Sequence, residues 1–221
     1  MNALSTPTFA SRLILLPYLQ QKDEWPASGP HIMAQYDEDS IIVYQAYRPS
    51  IAKFAIQHQR FGGDFSYSRM SWIKPNFLWM MYRAGWATKE GQEHILAIRI
   101  HRPFFDELLE SAIASSYAAS GLESHETWEK AVAESDVRLQ WDPDHDPHGH
   151  KLPRRAIQLG LRGEKLRLFG QEQIISTEDI TPLVREQHSR LMSSLHDFET
   201  PAERPYQPSS PTAALAIGLN R

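Results

Sequence analysis

Cysteine is absent from this 221-residue chain, so no disulfide can staple it and no thiolate can ligate a metal or attack a substrate. That absence fits a reducing compartment, and the expectation is an intracellular protein, cytoplasmic or nuclear. Long apolar runs are missing as well. Leu13-Ile-Leu-Leu16 halts at Pro17, short of the roughly 20 residues that cross a bilayer and too short for a secretory signal. Net positive charge is also lacking. At −4 and a pI near 6.2 the chain does not have the basic surface that coats nucleic acid by displacing counterions. A small phosphorylated ligand in a local basic pocket stays open. The eleven glycines form neither a Walker loop nor a dinucleotide fingerprint, and no zincin helix or repeat period occurs.

Against these absences stands one unusual stretch, residues 69–86, with three of the six tryptophans. Trp72, Trp79 and Trp86 alternate there with Arg69, Lys74 and Arg83. Flat rings beside fixed positive charge can stack on a base while holding a phosphate. The same residues also suit a core in which tryptophans and Met70, Met80 and Met81 pack and the cations snorkel to its edge. With 41% hydrophobic residues the chain can bury a full core as one domain.

Taken in order, residues 1–33 carry Pro7, Pro17, Pro26 and Pro30 and read as a mobile arm. The globular domain is expected over 34–196. Ile41–Tyr47, β-branched and aromatic, reads as a buried strand. Pro49 then opens a helix that runs toward Gly62-Gly63, and Phe65–Ser68 alternates as a strand edge. Pro75 breaks the aromatic stretch, so a short helix is expected over Asn76–Arg83 with Lys74 near its N-terminus, where an anion is favoured. Ile95–Ile100 is a strand, Pro103 starts a helix with Phe104, Phe105, Leu108 and Leu109 on one face, and a second helical piece covers about 124–134.

Val137–Trp141 alternates as a strand and runs into a loop, Asp142–His150, with three carboxylates and three histidines. Such mixed ligands can hold a divalent ion, which would make a metal-dependent hydrolase. A loop broken by Pro and Gly supplies little of the rigidity that metal ligands need, so a solvated turn is expected and no metal. Ala156–Leu161 is a strand whose Gly160 marks a close backbone approach or a bulge. A short helix follows over Glu164–Phe169, then a strand over Gln171–Ile175 and a final helix capped by Thr181-Pro182. The Pro/Ser-rich tail, 197–221, has too little apolar surface to order itself. The pattern gives an α+β single domain with a mixed or mainly antiparallel central sheet and packed helices.

Val43–Tyr47, the Ser71-Trp-Ile-Lys-Pro…Arg83 block, Val137–Asp142, Ile157–Gly163 and Glu178–Pro182 together resemble the domain-of-unknown-function family 4291 over about residues 34–192. That resemblance implies no activity. The order of elements is also similar to that of ADP-ribosyltransferases, in which a first-strand residue holds the nicotinamide ribose, an aromatic ring stacks on the nicotinamide and a late-strand Glu completes the site. By position the resemblance implies those roles for Gln45, for Tyr82 or Trp72, and for Glu172, with NAD as cofactor. Gln45 departs from the His or Arg of that pattern.

Tyr47, Arg48, Arg69, Trp72, Lys74 and Arg83 then make up the expected cofactor-binding set, because bidentate arginines suit planar anions. A carboxylate near the ribose would stabilise the developing cation, and Glu172 could also act as a base. Two functions follow as expectations. One is an NAD-dependent ADP-ribosyl-type transferase acting on a nucleic acid or protein acceptor. The other is a non-enzymatic module that binds a nucleotide or a single-stranded nucleic acid segment by stacking and phosphate contacts.

Overall fold

The structure, a computed structural model, describes residues 13–219. The first third of the chain contains β1 (Leu15–Pro17), α1 (Tyr18–Glu24), β2 (Gly29–Pro30), β3 (Met33–Ala34), β4 (Ser40–Tyr47), α2 (Pro49–His58), β5 (Ser71–Ile73) and α3 (Phe77–Ala84). Next come β6 (His94–His101), α4 (Arg102–Glu110), β7 (Ala112–Ala114), α5 (Tyr117–Ser120), α6 (His125–Glu134), β8 (Val137–His145) and β9 (Lys151–Leu161). The last part holds α7 (Gly163–Gln171), β10 (Ile174–Asp179), α8 (Thr181–Ser193), β11 (Glu199–Pro201), β12 (Arg204–Pro205) and α9 (Pro211–Ala216). The fold is α+β.

Its strands divide mainly between two sheets. One is antiparallel in the order β10-β6-β4. The other runs β2-β9-β8-β7, with β5 added to β9 beyond the end of β2. β6 explains why the first sheet is covered on both sides: Leu96, Ile98 and Ile100 enter one core and Ile95 and Ala97 the other, so a continuous apolar run fits a doubly buried strand. The larger core fills the space between the sheets, where Val43 and Ile98 meet Leu139 and Leu159. The smaller lies under α3 and α8.

Local chemistry fixes the helix ends. Pro49 opens α2, and Gln59 ends it in the left-handed region at φ 53°. The Asn76 side chain accepts from Trp79 N at 2.6 Å, and Gly85 closes α3 at φ 56°. α3 is apolar nearly all round, with Phe77–Met81 and Ala84 buried, as expected of a helix inserted between layers.

Several expectations change. Residues 65–68 turn instead of extending, because Phe65 is pulled inward onto Phe61 and Tyr47 and the Tyr67 hydroxyl donates to Phe61 O. The late strand starts at Ile174, not Gln171, since α7 runs to Gln171 and the N–H groups of Glu172 and Gln173 both turn back onto Leu168 O to close it. β8 runs on to His145 through Pro143, where the register shifts. The mobile arm lies outside the described residues only up to position 12. From Leu15 on, β1 pairs with β11, and Tyr18 is buried against Phe198.

The tail differs most. Phe198 and Tyr206 are fully buried, Tyr206 N donates to Ile32 O and its hydroxyl to Asp106. Low average hydropathy did not prevent a few aromatic anchors from ordering it.

Glu203 is the buried link between this tail and α3. Its Oε1 accepts from Phe77 N at 2.6 Å and its Oε2 from Asn76 Nδ2 at 3.4 Å, while its own N–H donates to Gln21 Oε1. Burial holds its pKa well above the usual carboxylate range, against the Phe77 N–H and with Asp144 reinforcing the shift. A raised carboxyl is fully stabilising below about pH 4.5 and loses that contribution as pH climbs toward its folded value. Glu203→Gln should therefore match the parent near pH 4 and melt higher at pH 8, each ~1 kcal/mol moving Tm by ~2–4 °C in a chain of this size. Thermal melts at both pH values check this. A variant that melts lower at pH 8 than at pH 4, relative to the parent, would mean that the carboxylate is charged and stabilises the helix N-terminus.

Candidate functional site

The site is assembled by β5. Ser71, Trp72 and Ile73 pair with Leu161, Gly160 and Leu159 of β9, and the next residue, Lys74, changes partner to Tyr44 of β4. Lys74 donates to Tyr44 O at 3.3 Å and accepts from Tyr44 N at 2.7 Å. Side chains alternate along a strand, so Ile73 enters the core between the sheets while Trp72 and Lys74 leave on the other side. A Cβ on Gly160 would lie 3.0 Å from the Trp72 ring and 2.7 Å from Met70 Sδ. The close approach expected at that glycine is the seat of Trp72.

A cavity of about 450 Å³ opens there. Trp72, Lys74, Trp79 and Arg83 line it, as do the amides of Gln45, Gln92, Gln140 and Gln158. Gln140 pairs with Gln158, one residue out of step with the core pair Leu139 and Leu159, which turns both amides outward. None of the residues lining the cavity is a carboxylate. The Gln45 amide donates to Ser71 Oγ at 2.8 Å and Trp72 O at 3.0 Å, and Tyr47 shares a 2.8 Å bond with the same Ser71 hydroxyl. Gln45 Oε1 and Trp79 Nε1 are buried without a partner among the described residues.

Lys74 is the unusual group. It is 6% exposed, its Nζ lies 5.0 Å from the centre of the Trp79 ring, and no hydrogen bond or ion pair holds it among the described residues. Burial pulls its pKa down to about 7, Arg83 adds to the shift, and Asp142 opposes it. Asp142 sits behind the amides, accepting from Gln140 at 2.9 Å and Gln158 at 2.6 Å. Burial raises its pKa against those two amides and the Lys74 charge. Asp142 and Gln140 also border a neighbouring cavity of about 820 Å³ floored by Trp141.

The structure thus brings together Gln45, Tyr47, Trp72, Lys74 and Arg83. Arg48 and Arg69 line an adjoining pocket that shares Tyr47 and Ser71 with the first, and Arg48 pairs there with Asp64 at 3.3 Å. Two expected members stand apart. Glu172 caps α7 in solvent, ion-paired with Arg167 at 2.7 Å, and does not line the cavity. Tyr82 packs flat on His145 at 3.6 Å, which covers one face of its ring, and does not line the cavity. Trp86 likewise stacks on His188, outside the cavity.

Residues 31–206 match the family model described as Domain of unknown function (DUF4291). The chain belongs to that family. No curated protein matches it. The DUF4291 match takes in every residue lining the cavity around Lys74 and ends at Tyr206, so the buried anchor Glu203 lies within it.

Within the DUF4291 domain, the Asp142–His150 segment does not gather around a common point. Asp144 pairs with Arg154 at 2.7 Å, Asp146 accepts from His148 N and from His150, and His145 is stacked on Tyr82. Among the described residues no group of three or more His, Asp or Glu is placed to share an ion. No helix among them is long and apolar enough to cross a membrane. Neither Gln140 nor Gln158 stands out in the sequence, and Asp142 does so only as a possible metal ligand. The signal was the polar half of two alternating strands, which reads as a solvated face until α3 covers it.

Lys74 gives a direct test of the site's electrostatics. A lysine whose folded pKa lies near 7 destabilises the fold fully below that pH, and the penalty fades as pH rises toward the unfolded value of ~10.4. Lys74→Met should raise stability at pH 6, by an amount on the order of a few kcal/mol, and the gain should shrink by pH 9.5. Urea unfolding at both pH values measures it. Equal destabilisation at the two would show that the ammonium is not penalised by the fold.

Proposed function

We propose that this cavity is a binding site for a nucleotide-type ligand: a flat ring against Trp72 and Trp79, its polar edge on the glutamine amides, and its phosphate on Lys74 and Arg83. One observation carries the reading. A buried cation lies inside a cavity lined by no carboxylate, and a second cation, Arg83, has no ion pair among the described residues; an uncompensated buried charge is costly and an anion entering the cavity would relieve it. The volume of about 450 Å³ falls in the range of small-ligand sites. Arg69, in the adjoining pocket, extends the cationic wall to a second phosphate.

Cleavage of NAD and ADP-ribosyl transfer is the second reading, and Asp142 supports it. Held by two amides within electrostatic reach of Lys74, Asp142 is a carboxylate behind the cavity wall able to stabilise an oxocarbenium ion, a role that exposed Glu172 is poorly placed to fill. In that case Gln45 would hold the ribose, and the acceptor, nucleic acid or protein, would approach from the neighbouring cavity beside Asp142.

Titration with AMP and NAD, followed by tryptophan fluorescence and by chromatography of free nicotinamide, separates the two. Both ligands should quench, and Trp72→Ala and Arg83→Ala should each weaken binding about tenfold, as loss of one stacking or charged contact of ~1.4 kcal/mol implies. Nicotinamide release that survives Glu172→Ala and disappears in Asp142→Asn would establish cleavage of the nicotinamide glycosidic bond, and a missing equivalent of free ADP-ribose in the same chromatogram would distinguish transfer from hydrolysis. Quenching without release leaves a binding module, and no quenching by either ligand at millimolar concentration refutes the nucleotide reading. NAD affinity should also fall about fivefold between pH 7 and 8 as Lys74 loses its proton, since the NAD diphosphate does not titrate there.

A further inference from the structure

The amine of Lys74 has a second chemical use that anion binding leaves open. Of the seven lysines in the chain, it is the one that is buried. Lys22, Lys53, Lys89, Lys130 and Lys151 are exposed, and Lys165, half-buried, is paired with Glu107. Inside the cavity, Lys74 Nζ meets the Trp79 ring and, among the described residues, no hydrogen-bond acceptor. An ammonium there leaves its N–H groups unsatisfied, whereas a neutral amine offers a lone pair toward the open side of the cavity. Arg83, on the same wall, can anchor an anionic group of whatever enters.

From this geometry we infer that Lys74 is a covalent-capture site, its amine condensing with the carbonyl group of a small aldehyde or 2-oxo compound that carries a phosphate or carboxylate. The amine lone pair attacks the carbonyl carbon and forms the C–N bond, and the carbonyl π electrons move to oxygen. The two amine protons then leave with that oxygen as water, and a C=N bond remains. No oxidant or other co-reactant is needed. With a pKa near 7, about half of Lys74 is neutral at neutral pH, against roughly 1 in 10³ for an ordinary lysine. Desolvated amines are the ones that form such imines.

Pyridoxal 5′-phosphate serves as the probe, having an aldehyde, a flat ring and a phosphate. The protein is incubated at pH 7.5 with about one equivalent, reduced with borohydride and mapped by peptide mass spectrometry. The expected result is a phosphopyridoxyl group on Lys74 at ~10-fold or more over every other lysine, as its larger neutral fraction implies. In Lys74→Arg that selective label should vanish while the surface background persists. Arg83→Ala should slow labelling by pyridoxal 5′-phosphate but not by pyridoxal, which has no phosphate to anchor. Labelling of Lys74 no faster than of exposed Lys89 overturns the inference. AMP carries no carbonyl, so quenching by AMP without labelling sinks covalent capture alone, and labelling without AMP binding sinks the nucleotide reading alone.

Discussion

The change of partner at Lys74 is the constraint from which the rest of the architecture follows. β5 is hydrogen-bonded to β9 through three residues, then to β4 through one, and Pro75 has no N–H with which to continue either ladder. One residue therefore joins the two sheets. The alternation of a strand then leaves no freedom in what faces where: Ile73 must fill the core, and Trp72 and Lys74 must share the opposite side. The ring and the cation of the cavity come from one backbone event, and so does the start of α3 three residues later.

That arrangement holds only if α3 is pinned, and the pinning is polar. Asn76 caps the helix from within, and Glu203 accepts from its first amide, while the neighbouring Asp144–Arg154 pair is almost fully buried. These groups tie α3 to segments from both ends of the chain, since Trp25 donates to Glu203 O and packs against Arg154. At the other end of the helix, Gly85, Trp86 and Ala87 are all left-handed, at φ 56°, 54° and 64°. Left-handed backbone costs a side-chain-bearing residue roughly 1–2 kcal/mol. It persists because Trp86 is gripped by Phe77, Phe198 and His188, and the tight turn so formed returns the chain to place Gln92 on the cavity wall.

Much of this was readable from residues. Pro75 and Asn76 announced the break and the helix, the apolar run at Ile95–Ile100 gave its strand, and the aromatic and cationic block did supply the cavity's ring and charges. What escaped had physical causes. Glu172 reads as part of a strand because Ile174 and Ile175 follow it, but it caps the end of α7, where the Arg167 ion pair holds it in solvent. Gln140 and Gln158 alternate with core residues and so look like a water-facing edge; that they face a cavity is decided by α3, more than fifty residues earlier in the chain. The tail's order depends on Phe198 and Tyr206 finding partners in segments near the N-terminus, contacts too remote in sequence for composition to register.

Charge on two length scales bears on what the cavity can hold. The chain is net negative, so at distances beyond ~8–10 Å, where salt screens individual charges, it offers an anion no general attraction. Favourable electrostatics must therefore be local, from Lys74 and Arg83 acting inside a partly desolvated cavity where the effective dielectric is low. Such a field favours a ligand that fits within the walls over a long polyanion, most of whose phosphates would lie beyond reach of these two cations. An enclosed mononucleotide-sized anion satisfies both conditions, whereas an extended nucleic acid strand satisfies only the first, at the one segment that enters.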